Sequence, residues 1–297
     1  MSLGRFLVRR TLQGVLVVWG VITLVFVLRF LSPGDPVTFV APLDASPELK
    51  QRIAEDLGLD EPIHVQYAEY IAGVVQADFG YSFQRGLPAS RVVWQRVPAT
   101  VELAVASSIV AFALSIPLGV YAAVNQNEAP DVTASMFAFV GISMPIFLWG
   151  LVFILVFAVW FNIFPTGGYV SPAESPVGAL KRLVLPASAM GFALTAYIMR
   201  MTRSSMLEVL SAEYINLARA KGMSQRVIVL RHALKNAVIP VITVIAFQFS
   251  YAFGGVVVLE EVFFWPGIGR LTLTAIQSRD IPLIQGCIIV VALIYMI

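Results

Sequence analysis

The chain has 297 residues, of which 58% are hydrophobic and only 13% charged, with a formal net charge of +2. Its mean hydropathy is +0.82, and apolar runs near twenty residues recur along it, so its composition is that of a membrane protein. The small net charge offers no basic field for nucleic acid, and the single cysteine, Cys287, excludes an intrachain disulfide framework.

Arg5, Arg9 and Arg10 precede the first apolar run, residues 12–31. That run is too long for the core of a signal peptide and no A-x-A site follows, which favours an uncleaved anchor. The next segment, 32–98, holds nine acidic and five basic residues. Within it Ser46 reads as an N-cap, Pro47 as the first helical residue, Glu48 as a partner of the helix dipole and Gly58 as a stop. A second helix follows, with Ile63, Tyr67, Tyr70, Ile71 and Val74 on one face. The segment is expected to form a small helical cap, serving either as a binding module or as a lid that only packs on the spans.

Further apolar runs cover residues 101–124, 132–161, 183–201 and 237–258, and a sixth begins near Leu283. A helix crossing roughly 30 Å of hydrocarbon needs about 20 residues. The sixth run is still apolar at Ile297, so the natural chain is expected to continue. The fold class is therefore an all-α polytopic membrane protein with six transmembrane helices. Its parts are an N-terminus with the first span (1–31), an extracytoplasmic helical segment (32–98) and a domain holding spans two to six (99–297), which includes a loop at 208–236. In span two, Ser107, Ala111, Ser115, Gly119 and Ala123 recur every fourth residue, all small, and make a groove for close helix packing inside the bundle or at a subunit seam. Pro145 in span three and Gly254-Gly255 in span five are expected kink or contact points.

Lys and Arg collect on the cytoplasmic side of membrane proteins. Residues 200–236 carry seven of them against two Glu, and three arginines precede span one. Both segments fall on one side of a six-span chain, which places both termini in the cytoplasm. The short loop 125–131 should share that side, yet it has neither Lys nor Arg.

Several chemistries are missing from the sequence. No G-x-x-x-x-G-K-[ST] occurs, so no P-loop cradles a nucleotide. His64 and His232 make no metal-ligand spacing. Glu102 and Arg29 sit near span ends, and no mid-membrane Asp, Glu or His reads as a proton relay. The chain looks like a conduit without its own motor. A self-contained carrier or channel would need inverted repeats or mid-membrane charges, and an embedded enzyme would need a nucleophile–base or metal set.

The densest basic block, "EYINLARAKGMSQRVIVLRHALKNAVIP" (213–240), holds Arg219, Lys221, Arg226, Arg231 and Lys235 on helix-forming residues. Ser211 reads as an N-cap, Glu213 lies in the first turn, Lys221 in the last, and Gly222 is a C′ stop. A second helix is expected from Ser224. Basic residues alone would suit anionic lipid, but a capped helix lined by Ala218, Ala220 and Gly222 better suits docking to a soluble partner.

These residues resemble the coupling-loop motif of ABC importer permeases, in the form found in peptide and nickel permeases. The runs "LSPGDP" (31–36), "LGLDEPIHVQY" (57–67), "DFGYSF" (78–83), "RVPATVELA" (96–104), "FPTGG" (164–168) and "FFWPGIGRLTLTAIQSRDIPLIQG" (263–286) are similar to the dipeptide/oligopeptide permease family, in colinear order over essentially the whole chain. In the general motif E-A-A-x-x-x-G the acid lies six residues before the glycine. Here that position is Asn216, and the acid is Glu213, nearly one turn earlier.

The resemblance implies a type I importer permease that pairs with a second permease into a twelve-span pathway. It also implies two cytoplasmic ATPases on the elbows and an extracytoplasmic binding protein that delivers the cargo. Glu213, Tyr214, Ala218, Arg219, Ala220, Lys221 and Gly222 would couple the ATPases to the pathway. ATP and Mg would be held by those partners, with no cofactor or metal on this chain and no nucleic acid. The cargo implied is a di- or oligopeptide, with nickel chelates and glutathione-like compounds as alternatives, and the substrate-contacting residues are not marked by any motif.

The topology is open to direct labelling. On a Cys287→Ser background, cysteines at Arg219 and Lys221 should react with an impermeant thiol reagent only from the cytoplasmic side, and one at Glu55 only from the outer side. Labelling of all three from one side would overturn the six-span arrangement.

Overall fold

Each long apolar run folds as a helix, the state in which a chain segment satisfies its own backbone polar groups without water. The computed structural model describes residues 3–31, 37, 46–56 and 58–296; the "LSPGDP" run beyond Leu31 and the side chain of Arg29 lie outside these described residues. The chain divides into two compact units, one formed by Met1–Pro98 with Ile268–Ile297, the other by Ala99–Gly267.

In the first unit, α1 spans Leu3–Leu31. The helices α2, Pro47–Asp56, and α3, Ile63–Val75, follow. Ser46 caps α2 as expected, its Oγ accepting from the Leu49 amide at 3.3 Å. Its own backbone amide and then the Ser46 hydroxyl hold the Glu48 carboxyl below its usual range. On α3 the expected face is rotated: Ile63 is exposed and Gln66 is buried, while Tyr70, Ile71 and Val74 pack inward. Tyr67 packs on Phe26 and its hydroxyl lies 2.6 Å from Thr23 Oγ1, so α3 is held to α1. A two-residue hairpin breaks the all-helical expectation, β1 (Tyr81–Ser82) pairing with β2 (Leu87–Pro88). Three helices complete the unit, namely α4 (Ala89–Trp94), α12 (Ile268–Gln277) and α13 (Ile281–Met296). The buried Asp280 ties the hairpin to the start of α13: it accepts from Ser82 Oγ and from the Leu283 amide. Cys287 is buried in this core beside Leu283 and Val290.

The second unit begins on α5, Val97–Val124. Next come α6, Ala129–Ser143, and α7, Ile146–Phe153, which continues as a π-helical turn over Ile154–Trp160. The single span expected at 132–161 is thus two helices at 106°. Pro145 explains the break. Its ring pushes the preceding residue out of the helical region, and Met144 is extended at φ −104°, ψ 135°. Helix α8, Pro176–Leu210, is capped by Ser175, whose Oγ accepts from the Gly178 amide at 3.2 Å. It outruns the 183–201 expectation at both ends, because Lys181, Arg182, Arg203 and Glu208 lower hydropathy without disfavouring helix. Then follow α9 (Glu213–Ala220), α10 (Gln225–Val227), a π-helical turn at Ile228–Ala233, and α11 (Leu234–Val262).

Among the described residues, four helical stretches are long and apolar enough to cross a membrane: Gly4–Val27, Ala89–Val124, Pro176–Leu210 and Gln225–Ser250. The bent pair adds a fifth if it counts as one span, and Ile281–Met296 is apolar but shorter. The protein is an all-α polytopic membrane protein apart from its small hairpin.

The stripe of small residues on α5 faces α8. Ser107, Ala111, Ser115, Gly119 and Ala123 are all buried. A Cβ on Gly119 would lie 2.8 Å from the Met199 carbonyl oxygen, and one on Gly191 would lie 2.9 Å from the Ser107 carbonyl oxygen. The two backbones therefore approach as closely as glycine allows. Around this contact Leu103, Trp149, Leu185, Met190, Ile198, Leu259, Phe263 and Trp265 form the core. Phe192 of α8 gathers Phe137, Trp149 and Phe153 at ring-centroid distances of 4.4, 4.4 and 6.0 Å, so both arms of the broken span rest on α8.

The packing makes a contrast that mutation can read. Gly119→Val should destabilise the protein by roughly 1–3 kcal/mol through overpacking, whereas Gly20→Val on α1, where no atom of the described residues lies within 4 Å of the added Cβ, should change stability little. Thermal unfolding of the purified variants in one detergent would measure both, and equal midpoints would refute the close α5–α8 contact.

Candidate functional site: the basic elbow

The elbow grows from the end of α8. Leu210 closes that helix, and Ser211 caps its C-terminus. Ser211 Oγ donates to the Glu208 carbonyl at 2.8 Å, so Ser211 does not N-cap the next helix as the sequence suggested. Ala212 takes the N-cap place of α9 without a side-chain cap. Glu213 still lies in the first turn, beside the free amides.

The other end of α9 follows expectation closely. Gly222 sits at φ +77°, its amide donates to the Arg219 carbonyl at 2.9 Å, and the Met223 amide donates to the Ala218 carbonyl at 3.3 Å. This is a Schellman stop, with glycine at the left-handed position. Among the described residues no atom lies within 4 Å of a Cβ placed there, so backbone conformation rather than space makes the demand. A new helix then starts after Ser224 and runs through the π-helical turn into α11.

Which faces of α9 point where was not readable from composition. Ile215 is fully buried and Ala218 is 9% exposed; both pack into a cluster with Met206, Leu210, Ile228, Val229 and Ala233. Ala218 therefore helps to hold the elbow on its own chain. The outward face carries Glu213, Tyr214, Asn216, Leu217, Ala220 and Lys221, with Arg219 and Gly222 exposed beside them. Leu217, not singled out from the sequence, is 58% exposed in the middle of this polar face. Met223, Val227 and Leu230 continue the exposed apolar surface past the turn. Tyr214 is held in place by Asn236, whose Nδ2 donates to the phenolic oxygen at 2.8 Å, and Arg219 Nη1 donates to Asn216 Oδ1 at 3.2 Å.

A second fastening lies nearby on α8. Arg203 pairs with both carboxylate oxygens of the buried Asp131, Nη2 reaching Oδ2 at 2.7 Å. The same oxygen accepts from the Asn127 amide at 2.9 Å, where Asn127 turns the chain at φ +64°. The loop 125–131 lacks Lys and Arg of its own, and its Asp131 is met by a cation 72 positions later. A bidentate guanidinium–carboxylate pair fixes geometry as well as charge. Sequence inspection had no signal for it, since either residue alone looks like an ordinary helix-end charge.

At the other end of the same unit two glycine-bearing motifs interlock. The Gly168 amide donates to the Phe263 carbonyl at 2.8 Å, and a Cβ on Gly167 would lie 2.5 Å from that oxygen. Trp265 Nε1 donates to the Ala99 carbonyl at 2.8 Å, and the fully buried Glu260 accepts from Thr100 Oγ1 at 2.6 Å. Glu102 accepts from Tyr169 at 3.3 Å, while burial first and then the Glu102 charge push the Tyr169 phenol up. Gly255 approaches Ile146 closely, a Cβ there lying 2.8 Å from Ile146 Cδ1. His232 and His64 join no group of three or more His, Cys, Asp or Glu that could hold a metal among the described residues.

Residues 115–297 match the family described as binding-protein-dependent transport system inner membrane component, and residues 3–104 match the N-terminal region of the same kind of protein. A putative peptide transport system permease protein of Brucella suis biovar 1 is 38% identical over 293 residues, covering 97% of this chain and 92% of its own. The dipeptide transport system permease protein of Escherichia coli K12 is 39% identical over 92% of this chain and 88% of its own. A probable peptide ABC transporter permease protein of Sinorhizobium fredii is 36% identical over 99% and 94%.

The stop at Gly222 yields a structural test. Gly222→Val should fray α9, since a β-branched residue at positive φ costs about 1–2 kcal/mol, whereas Gly222→Asn should keep it. Amide hydrogen exchange over 213–220 should accelerate only in the valine variant; equal protection in both would refute the Schellman stop.

Proposed function

The chain belongs to the family of binding-protein-dependent transport system inner membrane components, and from that premise we propose that it is one half of a peptide pathway driven through its elbow by separate ATPases. It is the permease subunit of an ABC importer, a multi-pass inner-membrane protein that takes up peptides. A second homologous permease completes a twelve-span pathway. Two cytoplasmic ATPases hold ATP and Mg, and an extracytoplasmic binding protein brings the cargo. The chain has six spans with both termini in the cytoplasm, and the segment 32–98 lies outside.

One observation carries this reading. The most basic part of the chain is built as a short, stopped helix, anchored through Ile215 and Ala218 while Tyr214, Leu217 and Lys221 face outward. An apolar anchor ringed by polar groups is the pattern of a docking site whose energy lies in a few central residues, and a lipid-attracting patch needs no such order. The ATPase grips this handle. When the ATPases close on nucleotide, α9 moves as a body. The Arg203–Asp131 pair and the cluster below α9 pass that displacement into α8 and α6, switching the pathway between its two openings. Ligand-driven closure of packed rigid elements needs no chemistry on this chain.

Two measurements test the division of labour. The purified chain, freed of ATPase, should neither bind nor hydrolyse ATP. In the assembled complex, Leu217→Asp should weaken ATPase retention by about tenfold or more, as expected for a central apolar anchor, with insertion intact. Neutralising Arg226 and Arg231 should matter less. If Leu217→Asp retains the ATPase and loss of those two arginines alone releases it, the elbow acts through charge and the docking reading fails.

A further inference from the structure

A cavity of about 270 Å³ opens between α3, residues 78–80 and the first turns of α13, within the first unit. Gln66, Tyr70, Glu69, Asp78 and Gln285 supply its polar lining, and no Lys, Arg or His takes part among the described residues. Gln66 is only 8% exposed. Its Nε2 donates to the Glu61 carbonyl at 2.7 Å and to the Leu59 carbonyl at 3.3 Å. Two carbonyl acceptors fix the amide orientation, because the flipped amide would set oxygen against oxygen. The remaining atom, Oε1, therefore faces away from both carbonyls, and it is buried with no hydrogen-bond partner among the described residues. The Tyr70 hydroxyl is buried and unpartnered in the same way, although its ring is seated on Phe26 at 5.5 Å.

Buried polar atoms without partners cost roughly 1–3 kcal/mol each, and these two belong to side chains that line one cavity, which calls for a common ligand. The chemistry of the wall selects it. Gln66 Oε1 can only accept; the Tyr70 oxygen can accept while keeping its proton, since burial raises its pKa; Glu69 and Asp78 stand exposed at the rim as carboxylates. Asp78 Oδ1 is partly engaged by the Gly80 amide at 2.9 Å, which leaves Glu69 as the freer charge. A group with several N–H donors and one positive charge satisfies all of these at once. A divalent ion fits worse, for a protonated phenol is a poor ligand and no three-member acidic or imidazole cluster occurs among the described residues.

We propose that the cavity lined by Gln66, Tyr70 and Glu69 is a binding site for a primary ammonium group. It stands on the geometry of the cavity and does not need the proposed function. If that function holds, the cavity lies on the outer side, and the ammonium comes either from the α-amino end of a transported peptide or from a lysine side chain of the protein that delivers it.

The full chain in neutral-lipid nanodiscs, with empty nanodiscs as reference, would be titrated with ethylammonium and followed by saturation-transfer NMR. Saturable binding is expected for ethylammonium, and none for tetramethylammonium, which has the charge but no N–H, nor for calcium. Tyr70→Phe should weaken ethylammonium binding about tenfold, the effect of one hydrogen bond to a charged group, while leaving the thermal midpoint unchanged or higher. A merely structural tyrosine would show no binding change. Glu69→Gln, an exposed position that cannot harm the core, should also weaken binding. Absence of saturable ethylammonium binding, equal binding of tetramethylammonium or calcium, or parent-like binding by both variants would each overturn the proposal. In the assembled transporter, Tyr70→Phe should raise KM for Ala-Ala with docking of the delivering protein unchanged if the cargo supplies the ammonium. It should weaken that docking if a lysine supplies it.

Discussion

Contact between α5 and α8 is the constraint on which the second unit is built. At Gly119 and Gly191 the two helices meet backbone to side chain, with no room for a methyl group. In a lipid environment apolar surface alone does not drive helices together, so association rests on close van der Waals contact between small residues. A stripe with a repeat of four stays on one face of α5 and turns its length into such a contact. Once α5 is seated, α8 is enclosed: buried residues recur from Ala179 to Leu210. Every other element of the unit takes its position from that axis, including both arms of the broken span, which close on Phe192.

The elbow inherits its stiffness from the same helix. Its inner residues Ile215 and Ala218 rest on Met206 and Leu210, which belong to the last turns of α8. Two turns earlier Arg203 holds Asp131 and, through it, the loop that begins α6. A charge pair with one buried and one partly buried partner is modest as a source of stability. Its value here is geometric, because a bidentate pair resists rotation of α6 against α8. The basic residues of the block are mostly exposed and do not build the elbow. They surround it.

Glycine carries a different burden where "FPTGG" meets "FFWPG". There the Gly167–Gly168 backbone lies directly on the Phe263 carbonyl, and Gly267 lies against the Glu260 carboxylate. Such approaches leave room only for hydrogen, while the neighbouring Trp265 and Tyr169 rings close the gap edge to face at 4.9 Å. Two runs separated by about a hundred residues are small and aromatic for one shared reason, which is to let a loop cross the end of a helix without a void.

Much of this protein follows from the sequence itself. Hydropathy and length set the rough place of the apolar helices, because a buried backbone must bond to itself. Gly222 announced the stop of α9, and the four-residue spacing on α5 announced a tight helix contact, because both are local consequences of chain geometry. The family, too, is written in colinear motifs. What the sequence left undecided depends on residues far apart in the chain. Whether Pro145 would kink a span or split it depended on whether α8 and α11 could support two separate arms. Ala218 looked like docking surface until Met206 and Ile228 were seen beneath it, and Leu217 gained meaning only from what its neighbours bury. Ser211, read as a cap for the helix ahead, bonds instead to the one behind. Asp131 with Arg203, and Gln66 with Tyr70, were ordinary polar residues until packing removed water from around them. Burial is a property of the assembled structure, and it decides which of many similar side chains must find a partner.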